Sequence, residues 1–129
     1  MNHDPVRLLV VNDVEDAAAT LALMLELDGY EVRTAHDGAQ ALARIDSFAP
    51  HCILFDIDMP GIDGLELSRR VRQSHDDDIV LIAVTAHPSH DPRVAGAFRL
   101  ADHYFIKPVD AQMLRRIHPP LTAVARPTP

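Results

Sequence analysis

Val6-Arg7-Leu8-Leu9-Val10-Val11-Asn12-Asp13-Val14-Glu15-Asp16 is the stretch whose reading decides the rest. Residues 6–11 are apolar apart from Arg7. Such a run predicts a strand buried on both faces, as in the centre of a parallel sheet. Acidic residues follow at once. From Ala17 the apolar positions recur at Ala18, Leu21, Ala22 and Leu25, which is helix spacing, and Asp28-Gly29 supplies a stop.

The same alternation continues outward. Glu31 to Ala35 predicts a short strand, and Asp37 can cap a helix with Ala41, Leu42 and Ile45 on one face, ended by Pro50. Cys52 to Phe55 is a third strand. Met59-Pro60-Gly61 is a turn, and Asp63-Gly64-Leu65-Glu66 reads as a capping box for a helix burying Leu67 and Val71. Ile79 to Val84 is a fourth strand, Val94 to Leu100 a helix, and Tyr104 to Ile106 a fifth strand. Asp110 can cap a last helix that Pro119-Pro120 must end. Five strand and helix alternations without an internal linker predict one α/β doubly wound domain over residues 1–118, with a proline-rich tail at 119–129.

Composition narrows the function. The 129 residues carry 12 basic against 19 acidic side chains, a formal charge of −7, 47% hydrophobic residues and one cysteine. An acidic chain lacks the basic patch that displaces counterions from nucleic acid, so no nucleic-acid partner is expected. The longest apolar run, Ile79 to Val84, is far short of the roughly 20 residues of a membrane span. A lone Cys52 and a start without a secretory pattern lead to the expectation of a cytoplasmic protein. Cys52 itself reads as packing.

Doubly wound sheets place their chemistry beyond the carboxyl ends of the strands. Reading those ends gives Asn12-Asp13, Asp56, Thr85 and Lys107. Asp13 and Asp56 on one rim repel each other and would relieve this by holding a hard divalent cation such as Mg²⁺. Thr85 and Lys107 offer donors to an anion, as phosphoryl transfer to Asp56 requires. Lys107 is the chain's only lysine beside 11 arginines. A compact ammonium reaches a narrow site that a planar guanidinium does not.

These residues resemble a response-regulator receiver domain of two-component signalling. The resemblance rests on Leu8-Leu-Val-Val-Asn-Asp-Val-Glu-Asp16, Ile53-Leu-Phe-Asp-Ile-Asp-Met-Pro-Gly-Ile-Asp-Gly64, Val84-Thr-Ala86 and Tyr104-Phe-Ile-Lys-Pro108, and covers about residues 6–117. It implies a flavodoxin-like five-stranded parallel sheet of order 2-1-3-4-5 with helices on both faces. It further implies that Asp56 accepts a phosphoryl group from a sensor histidine kinase or histidine phosphotransfer protein. Mg²⁺ would be held by Asp13, Asp56 and the backbone carbonyl of Asp58, and Thr85 and Lys107 would contact the acyl phosphate. Thr85 and Tyr104 would form the switch toward a downstream protein partner, Asp58 and His87 would tune phosphoryl lifetime, and Lys107-Pro108 would be cis.

Two departures stand out. Asn12 replaces an acid that in the family reaches the metal through water, so the site loses one negative charge. The last helix is shortened, and in the family it contributes to an output and dimerisation face, on which a homodimer is admitted. Asn12 makes a docking-only pseudo-receiver the main alternative. Asp56-Ile57-Asp58 also resembles the nucleophile motif of haloacid-dehalogenase-type phosphatases, but there the aspartate pair comes on the first strand. A flavin-binding flavodoxin would want a hydroxyl- and glycine-rich loop where this chain has Asn12 to Asp16.

Overall fold

Five short segments pair as one parallel sheet in the computed structural model, which describes residues 5–57, 64–75, 78–85, 99–106, 109 and 112. The strands are β1 (Arg7–Val11), β2 (Glu31–Ala35), β3 (Cys52–Asp56), β4 (Val80–Thr85) and β5 (His103–Ile106). Helices α1 (Glu15–Leu27), α2 (Gly38–Phe48) and α3 (Gly64–His75) connect them. The strand order is β2-β1-β3-β4-β5, all parallel. The expected sheet is therefore found, with its order reversing at β1.

Each strand splits its side chains between two cores. Leu9, Val11, Ile53, Phe55, Leu81 and Ala83 pack on α2 and α3 through Ala41, Ile45, Leu67 and Val71. Leu8, Val10, Cys52, Leu54, Ile82 and Val84 pack on α1 through Ala18, Ala22 and Leu25. This alternation explains why β3 and β4 are buried throughout, and why their sequences are nearly continuous apolar runs. Leu21, expected in the core, lies half-buried at its margin.

Chain ends of the helices follow local chemistry. Glu15 and Asp16 occupy the first turn of α1, where the positive end of the helix dipole favours them. At its other end Tyr30 N donates to Leu25 O and Gly29 N to Glu26 O, with Gly29 at φ +99°, a closure that needs glycine. Asp37 caps α2, its Oδ1 accepting from Gln40 N at 2.7 Å. The final turn of α2 closes on Ala49 in the left-handed region, where Ala49 O accepts from Arg7 Nε at 2.8 Å.

Several boundaries differ from expectation. Helix α1 starts two residues before Ala17, because the acids of its first turn are helical. Thr85 and Asp56 end their strands instead of following them. Asp56 pairs with Val84 and Ile57 N donates to Val84 O, so the ladder runs on past the last apolar residue. The helix expected at Val94 to Leu100 is described only at residues 99–100, which are helical. The helix after Asp110 is described only at residue 112, which is helical, while the turn at 59–61, the Asp63 cap and the tail lie outside the described residues. No helix among the described residues is long and apolar enough to cross a membrane.

Candidate functional site at the carboxyl rim of the sheet

A parallel sheet delivers every strand's carboxyl end to one rim, so register decides which side chains meet there. Val11 pairs with Ala35 on one side and Phe55 on the other, Asp56 pairs with Val84, and Thr85 pairs with Ile106. Asn12 and Asp56 thus stand level on neighbouring strand ends at the point where the strand order reverses, with Asp13 next along the chain and Thr85 one step on from Val84. Asp56 is only 6% exposed and Thr85 1%, whereas Asp13 is exposed and Asn12 half-buried. Carboxylates are rarely so buried unless partnered. Among the described residues no buried side-chain nitrogen or oxygen lacks a hydrogen-bond partner.

The loop after β1 is fixed by Asn12. Its backbone N–H donates to Ala35 O at 3.0 Å, and its Oδ1 accepts from Val14 N at 2.9 Å, which ties off the entrance to α1. The amide therefore serves the turn as well as the rim. An amide oxygen has two lone pairs, so one acceptor position and the NH₂ group can still orient water.

The exit of β3 is clasped from the other side. Gly64 N donates to Ile57 O at 3.0 Å, and Ser68 Oγ donates to Gly64 O at 2.7 Å. A β-carbon at Gly64 would lie 2.7 Å from Ile57 Cα and 3.1 Å from Asp56 O. Glycine here lets α3 press directly on the backbone that carries Asp56.

Thr85 and Tyr104 share a face. Ala83 lies in the core under α2 and α3 and pairs with Tyr104, while Val84 lies in the core under α1 and pairs with Phe105. Thr85 therefore has the parity of Ala83 and of Tyr104, a residue 55% exposed. Lys107, the next residue after β5, lies outside the described residues, as do Asp58 and His87.

The donors present suit a hard cation. Asp13 and Asp56 supply carboxylate oxygens and Asn12 an amide, and no group of three His, Cys, Asp or Glu side chains gathers among the described residues. Mg²⁺ takes one or two carboxylates and keeps several waters, so this set fits it, while a site demanding a cage of side chains would not be met.

Two features were not anticipated. His36, directly after β2, places Nδ1 3.4 Å from Asn12 O and Nε2 3.9 Å from Glu15 Oε1, and its backbone N–H donates to Gln40 Oε1. Extending the strand-end rule to the second strand would have found it. The close approach at Gly64 was hidden behind its position in an apparent capping box.

A model of the family described as the response regulator receiver domain matches residues 8–118. Response regulator MprA of Mycobacterium bovis is 43% identical over 103 residues, which is 80% of this chain and 44% of that protein. The chain thus spans less than half the length of that relative. A CheY-like response regulator receiver domain protein from Methanospirillum hungatei superposes with a TM-score of 0.83 at 28% identity, over 94% of this chain and 97% of the other. Response regulator protein TrrA from Thermotoga maritima, solved in complex with Mg²⁺ and BeF, gives 0.77 at 32% identity over 90% and 98%.

Proposed function

The chain belongs to the response regulator receiver family of two-component signalling, and on that premise we propose that it takes a phosphoryl group onto Asp56. The observation that carries this reading is the buried Asp56 carboxylate at the end of β3, level with Asn12 and beside Thr85. A carboxylate there is shielded from bulk water yet stands on the rim that a donor can approach.

In this reading a carboxylate oxygen of Asp56 attacks the phosphorus of a phosphohistidine on a sensor kinase or histidine phosphotransfer protein. The new O–P bond forms as the P–N bond breaks, and the imidazole leaves with the electron pair and gains a proton from solvent. Asp13, Asp56 and the carbonyl of residue 58 would hold Mg²⁺, with Asn12 acting through water. The ion would offset the negative charge gathered between carboxylate and phosphoryl oxygens. Thr85 and Lys107 would donate to the phosphoryl oxygens, and Asp58 and His87 would govern access of the hydrolytic water. The chain acts as a signalling phosphoacceptor, with turnover confined to its own phosphorylation from small donors and its own dephosphorylation.

The acyl phosphate would draw the Thr85 hydroxyl toward it, and Tyr104, exposed on the same face, would turn inward to fill the space. A dianion thereby biases a two-state equilibrium at β5 and its neighbouring helices, the surface that would meet a downstream protein or a second copy. The acidic charge of this domain supports protein partners over nucleic acid; what the remainder of a longer relative binds is a separate matter.

Asn12 favours one second reading, a receiver that docks without phosphorylation. Acetyl phosphate with Mg²⁺, followed by intact-mass measurement, separates the two. A single phosphoryl adduct lost in Asp56→Asn is the expected result. No adduct, or one that persists in that variant, supports the docking-only reading.

A further inference from the structure

At the opposite, amino-terminal end of β4 and β5, one guanidinium on α3 ties together the segments that lead into both strands. Arg72, on the last turns of α3, is 15% exposed. Its Nε and NH2 both donate to Leu100 O, at 3.0 and 2.9 Å, and its NH1 donates to Ile79 O at 3.0 Å. NH2 also donates to Asp102 Oδ2 at 2.8 Å. That same Oδ2 accepts from Leu81 N at 2.9 Å, while Asp102 N donates to Leu81 O at 2.8 Å. The ends of α3, the helical residues before β5, and the starts of β4 and β5 are therefore bound through one planar fork and one carboxylate.

This geometry matters because β5 is a four-residue edge strand with alternating half-buried and exposed positions, its Phe105 packing at the margin of the core under α1. A multiply bonded guanidinium largely shielded from water, even with its Asp102 partner at the surface, holds more firmly than the ion pair that Arg70 makes with Glu66 on α3, where both side chains are exposed. The root of β5 is held firmly, while its carboxyl half, level with Thr85, is where a change at the rim arrives.

We infer that Arg72 and Asp102 form a pivot that anchors the root of β5, so that rearrangement of the output edge is confined to Tyr104 and the residues after it. Both are positioning residues, acting on the switch through the backbone of Leu81, Leu100 and Asp102. The inference rests on the phosphoacceptor reading for its trigger, and on the hydrogen bonds alone for its mechanics. Lysine cannot replace the arginine, since a single ammonium cannot serve Leu100, Ile79 and Asp102 in one plane.

Amide hydrogen exchange and backbone NMR of the full chain, with and without beryllofluoride and Mg²⁺, test it in the parent, Arg72→Met and the milder Arg72→Lys. In the parent, Leu81 and Asp102 amides should keep their protection on beryllofluoride addition while Tyr104 and Ile106 signals shift. In the variants, protection of those two amides should fall by about tenfold or more, as loss of the part-buried guanidinium bonds and of the charge-assisted bond to Asp102 implies. The beryllofluoride-induced shift at Tyr104 should shrink at least about twofold. Parent amides at Leu81 and Asp102 that loosen with beryllofluoride, or a variant whose Tyr104 response is unchanged, would overturn the pivot. An acetyl phosphate adduct measured on the same samples separates the two readings. If it is absent, the phosphoacceptor reading fails, and the amide protection of Leu81 and Asp102 in the variants still decides whether Arg72 anchors the strand.

Discussion

Replacing Gly64 by alanine probes the contact that sets Asp56 in place. The added carbon would sit 2.7 Å from Ile57 Cα and 3.1 Å from the carbonyl oxygens of Asp56 and Ile57. All three are backbone atoms, so no side chain can rotate away. Ordinary carbon contacts are about 3.5–4 Å, so the start of α3 and the exit of β3 must separate by close to 1 Å. Overpacking of this kind costs about 1–3 kcal/mol. Gly64 is the first residue of α3, so little of alanine's roughly 1 kcal/mol advantage in a helix interior is returned, leaving a net loss of about 1–2 kcal/mol. With a urea dependence of about 2 kcal/mol per molar, the midpoint should fall by roughly 0.5–1 M. The displacement also carries the Asp56 carbonyl and carboxylate with it. Misplacement on the scale of 1 Å can cost about 10²-fold in rate, so phosphorylation by acetyl phosphate, followed by intact mass over time, should slow by about tenfold or more. A Gly64→Ala protein with unchanged midpoint and unchanged rate would refute the claim that this approach positions the acceptor.

Three further outcomes are expected. Asn12→Asp restores a negative charge near Asp56 and Asp13; at about 5 Å, unit charges interact by roughly 1–3 kcal/mol, so Mg²⁺ affinity by calorimetric titration should rise about tenfold. An unchanged affinity would mean that position 12 does not feel the ion. Asp37→Ala removes the acceptor for Gln40 N, and thermal or urea unfolding should show a loss of about 1 kcal/mol; no loss would mean that the cap is satisfied otherwise. Burial, reinforced by the charge of Asp102, raises the Cys52 thiol well above its ordinary value of 9.0. The folded state therefore favours the protonated thiol: its contribution is complete below about pH 9 and fades as pH rises beyond that, because only the unfolded thiol ionises. Urea titrations above pH 9 should show stability falling more steeply in the parent than in Cys52→Ala, and matching slopes would refute this.

The alternation of apolar runs with helical spacing made the sheet legible, because a strand covered on both faces has no room for polar residues and announces itself in composition. For the same reason Asp56 and Thr85 could be picked out: a polar residue terminating such a run marks the rim. The capping of α2 by Asp37 is equally local, needing only residues 37 to 40. Boundaries were read less well, since pairing of Asp56 with Val84 extends the strands by a residue that hydropathy excludes.

What tertiary structure alone decided are the contacts between segments distant in the chain. Asn12 stands beside Asp56 only because β1 lies between β2 and β3. Arg72 meets Leu100 and Asp102 across 28 and 30 residues, and no periodicity distinguishes it from Arg69 or Arg70 on the same helix. Gly64 looks like a helix start until the backbone of Ile57 arrives at 2.7 Å from where a side chain would begin. Local sequence specifies hydrogen bonds and faces within one element; which donor reaches which carbonyl across elements depends on the packed distance, and that is set only when the two cores close.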